Sequence, residues 1–223
     1  MYTKEQFFLQ NLHTKTKRNY LERMNLSKPL CMKIASQYGE EYWDGNRKYG
    51  YGGYKFIEGR WSKVAKKIVK KFKLKDGSKI LDIGCGKGYL MYELIKLNPK
   101  FEVCGFDFSK YAIKNSHPAV KNKIKYLDLA KKFSFKNKSK FDLIISLGTI
   151  YNLRNFELEY VLRKINTESK QSYLVVESYK NFKELFNLQC WALTCKTFLS
   201  KEEWIWLFKK YSPKSLYEFM YFE

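Results

Sequence analysis

Three glycines and one acid in the stretch ILDIGCGKGYL, residues 80–90, have the types and spacing of a ligand-binding turn. Gly84, Gly86 and Gly88 form the pattern G-x-G-x-G, and Asp82 lies two residues before the first glycine. The dinucleotide fingerprint is G-x-G-x-x-G, so the third glycine comes one position early here, and the P-loop pattern is absent from the sequence. A carboxylate at this position would repel a pyrophosphate and attract an amino group. The stretch therefore predicts a site for a positively charged nucleoside derivative.

Two further acids follow at the spacing that such a ligand requires. Asp107 comes 19 residues after Gly88 and follows the apolar stretch FEVCGF. In nucleotide-binding sheets an acid at this spacing accepts hydrogen bonds from the ribose hydroxyls. Asp128 lies near the end of the next predicted strand, IKYLDL, where an adenine amino group would lie. The three acids together favour an adenosine derivative without phosphates.

Strands and helices alternate around these acids. Short apolar runs predict strands, and apolar residues three or four positions apart predict helices between them. The predicted strands are 79–84, 101–107, 124–129, 141–148, 172–178 and 215–223, and the predicted helices are 62–72, 89–98, 109–116, 156–166 and 200–211. This alternation predicts an α/β fold with a doubly wound, mostly parallel sheet that binds ligands at the carboxyl ends of its strands.

The first 61 residues predict an extension to this sheet. Residues 3–39 are expected to be helical with a break near 25–29, and residues 40–61 are rich in glycine and aromatic residues. We therefore divide the chain into a helical extension with an aromatic lid, residues 1–61, and a ligand-binding domain, residues 62–223.

Composition narrows the class of protein further. The 223 residues fit one domain with a small appendage, and no stretch reaches the ~18 apolar residues of a membrane span. Without a secretory signal, we expect a cytoplasmic protein. Five scattered cysteines predict free thiols and no metal site.

The net charge of +21 comes from 37 lysines and six arginines spread over the chain. We interpret it as a solvated basic surface, and a polyanion-binding face is the alternative.

These motifs together resemble the class I S-adenosylmethionine-dependent methyltransferases over residues 60–223. ILDIGCGKG is similar to their first motif, GFD to their second-strand acid, YLDLA to their adenine-side motif and FDLIISLGTIYNL to their fourth strand. The resemblance implies a Rossmann-like sheet with S-adenosylmethionine as cofactor. The family's sheet usually ends in an antiparallel hairpin, but only 12 residues follow Tyr211. We therefore expect a shortened sheet edge.

The resemblance also implies roles for individual residues. Asp82 and the backbone of Gly84 and Gly86 would hold the methionine part of the cofactor. Asp107 would hold the ribose, and Asp128 the adenine amine. The residues that we also expect at the cofactor, beside these or in the lid, are Cys85, Phe108, Leu129, Leu147, Tyr54 and Arg60.

Candidates for the methyl-transfer chemistry follow the fourth and fifth strands. Tyr151 and Asn152 come directly after the fourth strand, which in this family faces the transferred methyl group. Glu177 ends the fifth strand and is our candidate for a general base or a substrate anchor, with a solvated charge as the alternative. His13 is a further candidate base if the extension folds over the site, whereas we interpret His117 as structural.

The acceptor site is expected to draw on two more segments. The stretch FNLQCWALTCKTF, residues 186–198, carries polar or amphipathic groups among apolar ones, and the lid adds tyrosines. The predicted substrate-binding residues are Tyr49, Tyr51, Tyr179, Asn187, Gln189 and Trp191. Core packing is the alternative interpretation for each of these segments.

The sequence therefore predicts a methyltransferase that acts on a polar small molecule, through a hydroxyl or an amine, and releases S-adenosylhomocysteine. The whole chain also resembles bacterial methyltransferases that often accompany surface-saccharide genes, which favours a sugar-like acceptor. An RNA or DNA methyltransferase is the rival that the charge favours, although LGTIYNL lacks an Asn-Pro-Pro-Tyr-type motif. A cofactor-binding protein without turnover is the third hypothesis, and both monomer and homodimer remain open.

Overall fold

The structure, a computed structural model, describes residues 4–13, 18–131, 133 and 139–223, without the side chains of Asn11 and His13. Within these residues six strands form one sheet in the order β3-β2-β1-β4-β5-β6, and every neighbouring pair is parallel. The strands are β1 (Lys79–Ile83), β2 (Glu102–Asp107), β3 (Ile124–Tyr126), β4 (Phe141–Leu147), β5 (Ser169–Glu177) and β6 (Ser215–Met220). This sheet confirms the predicted α/β, Rossmann-like fold.

Helices lie on both faces of the sheet and in the N-terminal extension. In the extension they are α1 (Gln10–His13), α2 (Tyr20–Asn25), α3 (Lys28–Ala35) and α4 (Glu40–Trp43). The later helices are α5 (Ser62–Lys71), α6 (Tyr89–Leu97), α7 (Lys110–Lys114), α8 (Asn155–Glu168), α9 (Phe182–Trp191) and α10 (Lys201–Tyr211). No helix in the described ranges is long and apolar enough to cross a membrane.

The continuous apolar strands are explained by burial on both faces. Ile80 and Leu143 belong to the core cluster that includes residues of α5 and α6. Leu81 and Ile144, one position further along their strands, belong to the cluster that includes residues of α8 and α10. Successive side chains of a strand point to opposite faces, so a sheet covered on both sides needs apolar residues at every position.

The free edge of β6 is covered by the N-terminal segment instead of a further strand. The backbone N–H of Gln6 donates to the carbonyl of Tyr217 at 2.7 Å, and the N–H of Tyr217 donates to the carbonyl of Lys4 at 3.0 Å. Within the described residues no antiparallel hairpin follows α10, as the short C-terminal segment predicted. Pairing with residues 4–6 satisfies edge groups that would otherwise be open to another chain.

A buried carboxylate fastens the extension to this edge. Glu218 of β6 accepts hydrogen bonds from the backbone N–H groups of Phe8, Leu9 and Gln10 at 2.6, 2.8 and 2.9 Å, and from the Tyr173 hydroxyl. These N–H groups lie at the beginning of α1, where a helix leaves its donors unpaired. Glu218 therefore acts as a cap supplied from the sheet.

The extension differs in detail from its prediction. Residues 3–39 are not continuously helical apart from one break, because α1, α2 and α3 are short and residues 4–6 pair with β6. The predicted loop 40–61 begins with α4 and contains a 3-10 turn at Arg47–Tyr49. Most of α9 falls in a segment for which the sequence predicted no helix. The division at residue 61 stays a prediction.

Candidate functional site

A cavity of about 460 Å³ lies at the carboxyl ends of β1, β4 and β5, and the extension covers one side of it. The sheet contributes Asp82, Leu147, Gly148 and Glu177 to its lining. Residues of α2, α4, α9 and the loop around Tyr51 form the opposite wall. This position matches the predicted ligand site at the carboxyl ends of parallel strands.

The glycine turn after β1 forms the floor of the cavity. Gly84, Gly86 and Gly88 have φ values of +74°, +56° and +74°, a conformation that only glycine adopts without strain. A Cβ on Gly84 would lie 2.0 Å from the Thr149 hydroxyl oxygen. Side chains at these positions would therefore break the turn and fill the space beside it.

Asp82 is buried beside this turn, and no described residue pairs with its carboxylate. Its side chain is 3% exposed, lines the cavity and accepts no hydrogen bond from the described residues. Burial raises the pKa of Asp82 to about 7, and the nearby charge of Asp107 adds to the rise. A ligand ammonium group would satisfy this carboxylate. The S-adenosylmethionine amino group fits this requirement.

Asp107 lies next to the turn but outside the cavity lining. Its carboxylate accepts from the backbone N–H groups of Gly86 and Ser109, each at 2.7 Å. The Trp43 indole lies against Gly86, where an added Cβ would be 2.7 Å from the ring, and donates to the Ser109 hydroxyl at 2.9 Å. Trp43 thus packs against the glycine whose N–H donates to Asp107, and we expect it to move when a ribose binds this acid.

Three other predicted cofactor residues also lie outside the cavity lining. Asp128 follows β3, accepts from the N–H of Ala130 at 3.0 Å and is 3.7 Å from the Lys131 ammonium. Phe108 is 42% exposed, whereas Leu129 is buried in the core cluster with α8 and α10. The structure brings the methionine-side residues together and leaves the adenine-side residues apart from them.

An ion pair joins the lid to the glycine turn. The buried Lys87 ammonium donates to both carboxylate oxygens of Asp44, at 2.7 and 2.8 Å, and to the carbonyl of Tyr54 at 2.9 Å. The Tyr54 ring stacks on Tyr89 with the centroids 5.2 Å apart. Tyr54 and Arg60 both line the cavity, as do Cys85 and Leu147. Local sequence does not indicate this ion pair, because its partners are 43 positions apart.

Glu177 and Tyr151 meet on the acceptor side of the cavity. The Tyr151 hydroxyl donates to Glu177 Oε1 at 3.1 Å, and buried Oε2 has no hydrogen-bond partner in the described ranges. Burial raises the pKa of Glu177 to about 7, against the opposing effects of the Tyr151 hydrogen bond and the Arg18 charge. A carboxyl group with this pKa can exchange a proton near neutral pH.

Trp191 forms the far wall together with arginines that the sequence analysis did not single out. The guanidinium carbons of Arg23, Arg47 and Arg18 lie 4.8, 5.1 and 5.4 Å from its ring centroid. Arg60 is a fourth arginine in the lining, so four of the six arginines in the chain line this one cavity. The sequence offered one indirect signal for this wall: arginine is rare in the chain and lysine is abundant, so the few arginines stand out as candidates for a specific role.

Several predicted site residues lie elsewhere. Tyr51 lines the cavity, but five other predicted residues do not: Asn152, Tyr49, Tyr179, Asn187 and Gln189. Tyr49 packs against the small cluster around Cys31, and Asn187 donates to the carbonyl of Phe222 at 2.9 Å. Tyr179 forms a backbone bridge to Ser200, and Gln189 is exposed. Asn152 Oδ1 is buried and has no hydrogen-bond partner in the described part of the chain. The His13 side chain lies outside the described residues.

The fold and the position of the cavity are those of an α/β protein that binds a nucleoside-like ligand. Comparison with known proteins gives its family. A family model described as "Methyltransferase domain" matches residues 74–219. The chain belongs to this family and is an S-adenosylmethionine-dependent methyltransferase. The predicted class and cofactor are thereby confirmed.

Individual relatives match only part of this chain. The tRNA U34 carboxymethyltransferase of Nautilia profundicola is 31% identical over 103 residues, which are 44% of this chain and 33% of that protein. The protein of the same name from Campylobacter jejuni is 35% identical over 102 residues, 44% of this chain and 35% of that protein. The chain thus covers only a third of the length of these relatives.

Solved structures support the fold. The YcgJ protein from Bacillus subtilis superimposes with a TM-score of 0.51 at 18% identity over 66% of each chain. A protein from Bacillus halodurans C-125, described as a methyltransferase, gives a TM-score of 0.51 at 15% identity over 66% of this chain and 67% of that one. At this identity the likeness shows the shared fold alone.

Proposed function

We propose that this methyltransferase acts on a polar small molecule in the cavity and that Glu177 takes the proton from the acceptor. The observation that carries the proposal is the buried Oε2 of Glu177, which has no hydrogen-bond partner among the described residues and lies in the same cavity as Asp82. S-adenosylmethionine, when bound, supplies a methyl group on a positively charged sulfur and leaves as S-adenosylhomocysteine. The acceptor atom forms a bond to the methyl carbon as the carbon–sulfur bond breaks and sulfur keeps the electron pair.

The residues of the chain divide this work. Asp82 binds the cofactor's amino group and fixes the methionine part against the glycine turn. Tyr151 holds Glu177 in place through its hydroxyl, and Glu177 Oε2 accepts the proton of an acceptor hydroxyl or amine. The lid, held by the Asp44–Lys87 ion pair, covers one side of the cavity and so reduces the access of water to the reacting groups. Positioning and proton removal are the parts of methyl transfer that a protein can supply.

An RNA acceptor is the second candidate. The curated relatives are named tRNA U34 carboxymethyltransferases, and the chain carries a net charge of +21. The limited volume of the cavity, about 460 Å³, favours a small molecule over RNA, because an RNA base would have to leave its stack to enter it. A sugar-like acceptor, which the resemblance to methyltransferases that accompany surface-saccharide genes favours, stays within the small-molecule proposal.

The test follows the label from methyl-labelled S-adenosylmethionine into the small-molecule and RNA fractions of a bacterial extract. We expect label in the small-molecule fraction, and transfer by Glu177→Gln reduced about 10²- to 10⁴-fold. The matched control is Glu159→Gln, an exposed carboxylate on α8 paired with Arg163. Label in RNA alone would refute the small-molecule acceptor, and full activity of Glu177→Gln would refute the role of Glu177.

A further inference from the structure

The acceptor wall carries an unusual concentration of positive charge. The Trp191 ring has three guanidinium groups within 5.4 Å of its centroid, from Arg18, Arg23 and Arg47. These residues come from α2, its preceding segment and the 3-10 turn of the lid, so folding of the extension brings them together. Like charges gathered at one partly buried site repel each other, and the arrangement needs an anion to balance it.

Glu177 balances part of this charge through Arg18, but Arg23 and Arg47 have no carboxylate partner among the described residues. Arg23 is 7% exposed, and its guanidinium donates to the Arg47 carbonyl at 2.6 Å while its Nε has no partner among the described residues. Arg47 donates to the carbonyls of Gly50 and Tyr51 at 2.8 and 3.0 Å. Neither arginine forms an ion pair with a carboxylate in the described ranges. Burial lowers the pKa of Arg23, and the charge of Arg47 lowers it further.

We propose that this wall is a binding subsite for an anionic group, a phosphate or a carboxylate, on the methyl acceptor. The proposal rests on the proposed function, because it places the anion in the same cavity as Glu177. Guanidinium groups present planar pairs of donors that match the oxygens of both anions. The acceptor is therefore a hydroxy or amino compound whose anionic group lies on Trp191 while its nucleophile faces Glu177.

The carboxylate of the cofactor is the competing occupant, and the charges around the cavity separate the two. Arg60 shortly precedes α5, which packs on α6, the helix that begins at the glycine turn. Arg18, Arg23 and Arg47 instead surround Trp191 at the end of α9. Arg60 is thus placed for the cofactor carboxylate, and the arginines around Trp191 for a second anion.

The direct test titrates inorganic phosphate, and separately acetate, into the protein saturated with S-adenosylhomocysteine and measures binding by calorimetry. We expect at least one of the two anions to bind, and Arg23→Gln and Arg47→Gln each to weaken binding about tenfold or more. Arg163→Gln removes the same charge from exposed α8 and should bind like the wild type. Arg47 serves as the second variant because its exposed side chain leaves the fold intact if Arg23→Gln does not fold.

A second arm measures S-adenosylhomocysteine binding by the same variants, and we expect changes below about twofold. A tenfold loss there would show that the arginines hold the cofactor, and it would overturn the proposal. No binding of either anion by the wild type, or unchanged binding by both variants, would overturn it as well. A competition experiment gives the last outcome. If single-stranded RNA displaces the bound anion and no small phosphorylated or carboxylated hydroxy compound does, the proposal is overturned and the wall binds an RNA phosphate.

An acceptor panel separates this proposal from the proposed function. Each hydroxy compound is offered alone and with a phosphate or a carboxylate attached, and methyl transfer is followed. We expect transfer only to the anionic member of a pair and loss of that preference in Arg47→Gln. If anions bind as expected but Glu177→Gln transfers methyl at the wild-type rate, the subsite stands and the role of Glu177 fails. Equal transfer to both members of every pair would overturn the subsite.

Discussion

At the scale of single residues, the cavity holds two buried carboxyl groups with similar pKa values and different tasks. Asp82 and Glu177 each have a pKa raised by burial to about 7. Asp82 faces the part of the cavity that fits the cofactor's ammonium group. Glu177 faces the arginine wall, which is the wall formed by Trp191 and the arginines around it. A positive ligand favours the ionised form of the first, and a proton from the acceptor is taken by the second.

The raised pKa of Asp82 predicts a pH dependence of cofactor binding. The ammonium group binds the ionised carboxylate, so below the pKa the protein must first lose a proton. Cofactor affinity should rise about tenfold per pH unit below about pH 7 and level off above it. Calorimetry of S-adenosylmethionine from about pH 5.5 to about pH 8.5 checks this. Asp82→Asn should bind more weakly and without this slope, and a wild-type affinity independent of pH would contradict the assignment.

The residues that the sequence could predict are those whose role is local. Asp82 and the three glycines lie within seven positions, so their spacing alone indicates a turn with an acid beside it. The arginine wall could not be predicted in this way, because Arg23 and Trp191 are far apart in sequence and meet only through packing of α2 on α9. Asn187 is a polar residue that the sequence placed in the site and the structure does not. Its side-chain amide donates to a backbone carbonyl instead of facing a ligand.

At the scale of elements, the strands and the helices between them were predictable, whereas α9 and the extension were not. Strands such as β4 are marked by continuous apolar runs that both faces of the sheet require. The short helices α1, α2 and α4 depend on contacts with distant elements, such as the cap that Glu218 gives to α1. Isolated helices of this length are unstable, so local sequence carries little information on them.

The position of α4 predicts movement of Trp43 when the cofactor binds. Trp43 lies over Gly86 beside Asp107, and we expect a ribose that reaches this acid to displace the indole. Binding of S-adenosylmethionine should therefore change the tryptophan fluorescence, and Trp43→Phe should remove most of that change. The matched control is Trp206→Phe, an exposed tryptophan on α10. An equal fluorescence change in Trp43→Phe would contradict a movement of this residue.

At the scale of the whole molecule, the positive charge has two distinct parts. The lysines are spread over the surface, while most of the few arginines line the cavity. Dispersed charge attracts any polyanion through nonspecific phosphate contacts, and such contacts weaken steeply with salt. Charge inside the cavity is screened much less.

These two parts of the positive charge predict different effects of salt on the binding of RNA and on the binding of the cofactor. RNA binding should fall by about 10³-fold or more between about 0.05 M and about 0.2 M salt. Binding of S-adenosylmethionine should change by less than about twofold over the same range, because its contacts lie within the cavity. Filter binding of RNA and calorimetry of the cofactor check the two halves. RNA binding that persists at the higher salt would indicate specific recognition and favour the RNA acceptor.

The most direct measurement of the central claim is calorimetry of S-adenosylmethionine with the wild type, Asp107→Ala and Asp76→Ala. Asp76 is an exposed acid paired with Lys100 far from the cavity, so it is the matched control. The wild type and Asp76→Ala should bind alike, and Asp107→Ala should bind more weakly by at least about 1.4 kcal/mol, a factor of ten. No binding by the wild type, or equal binding by all three proteins, would contradict the assignment of the glycine turn and its acids to the cofactor.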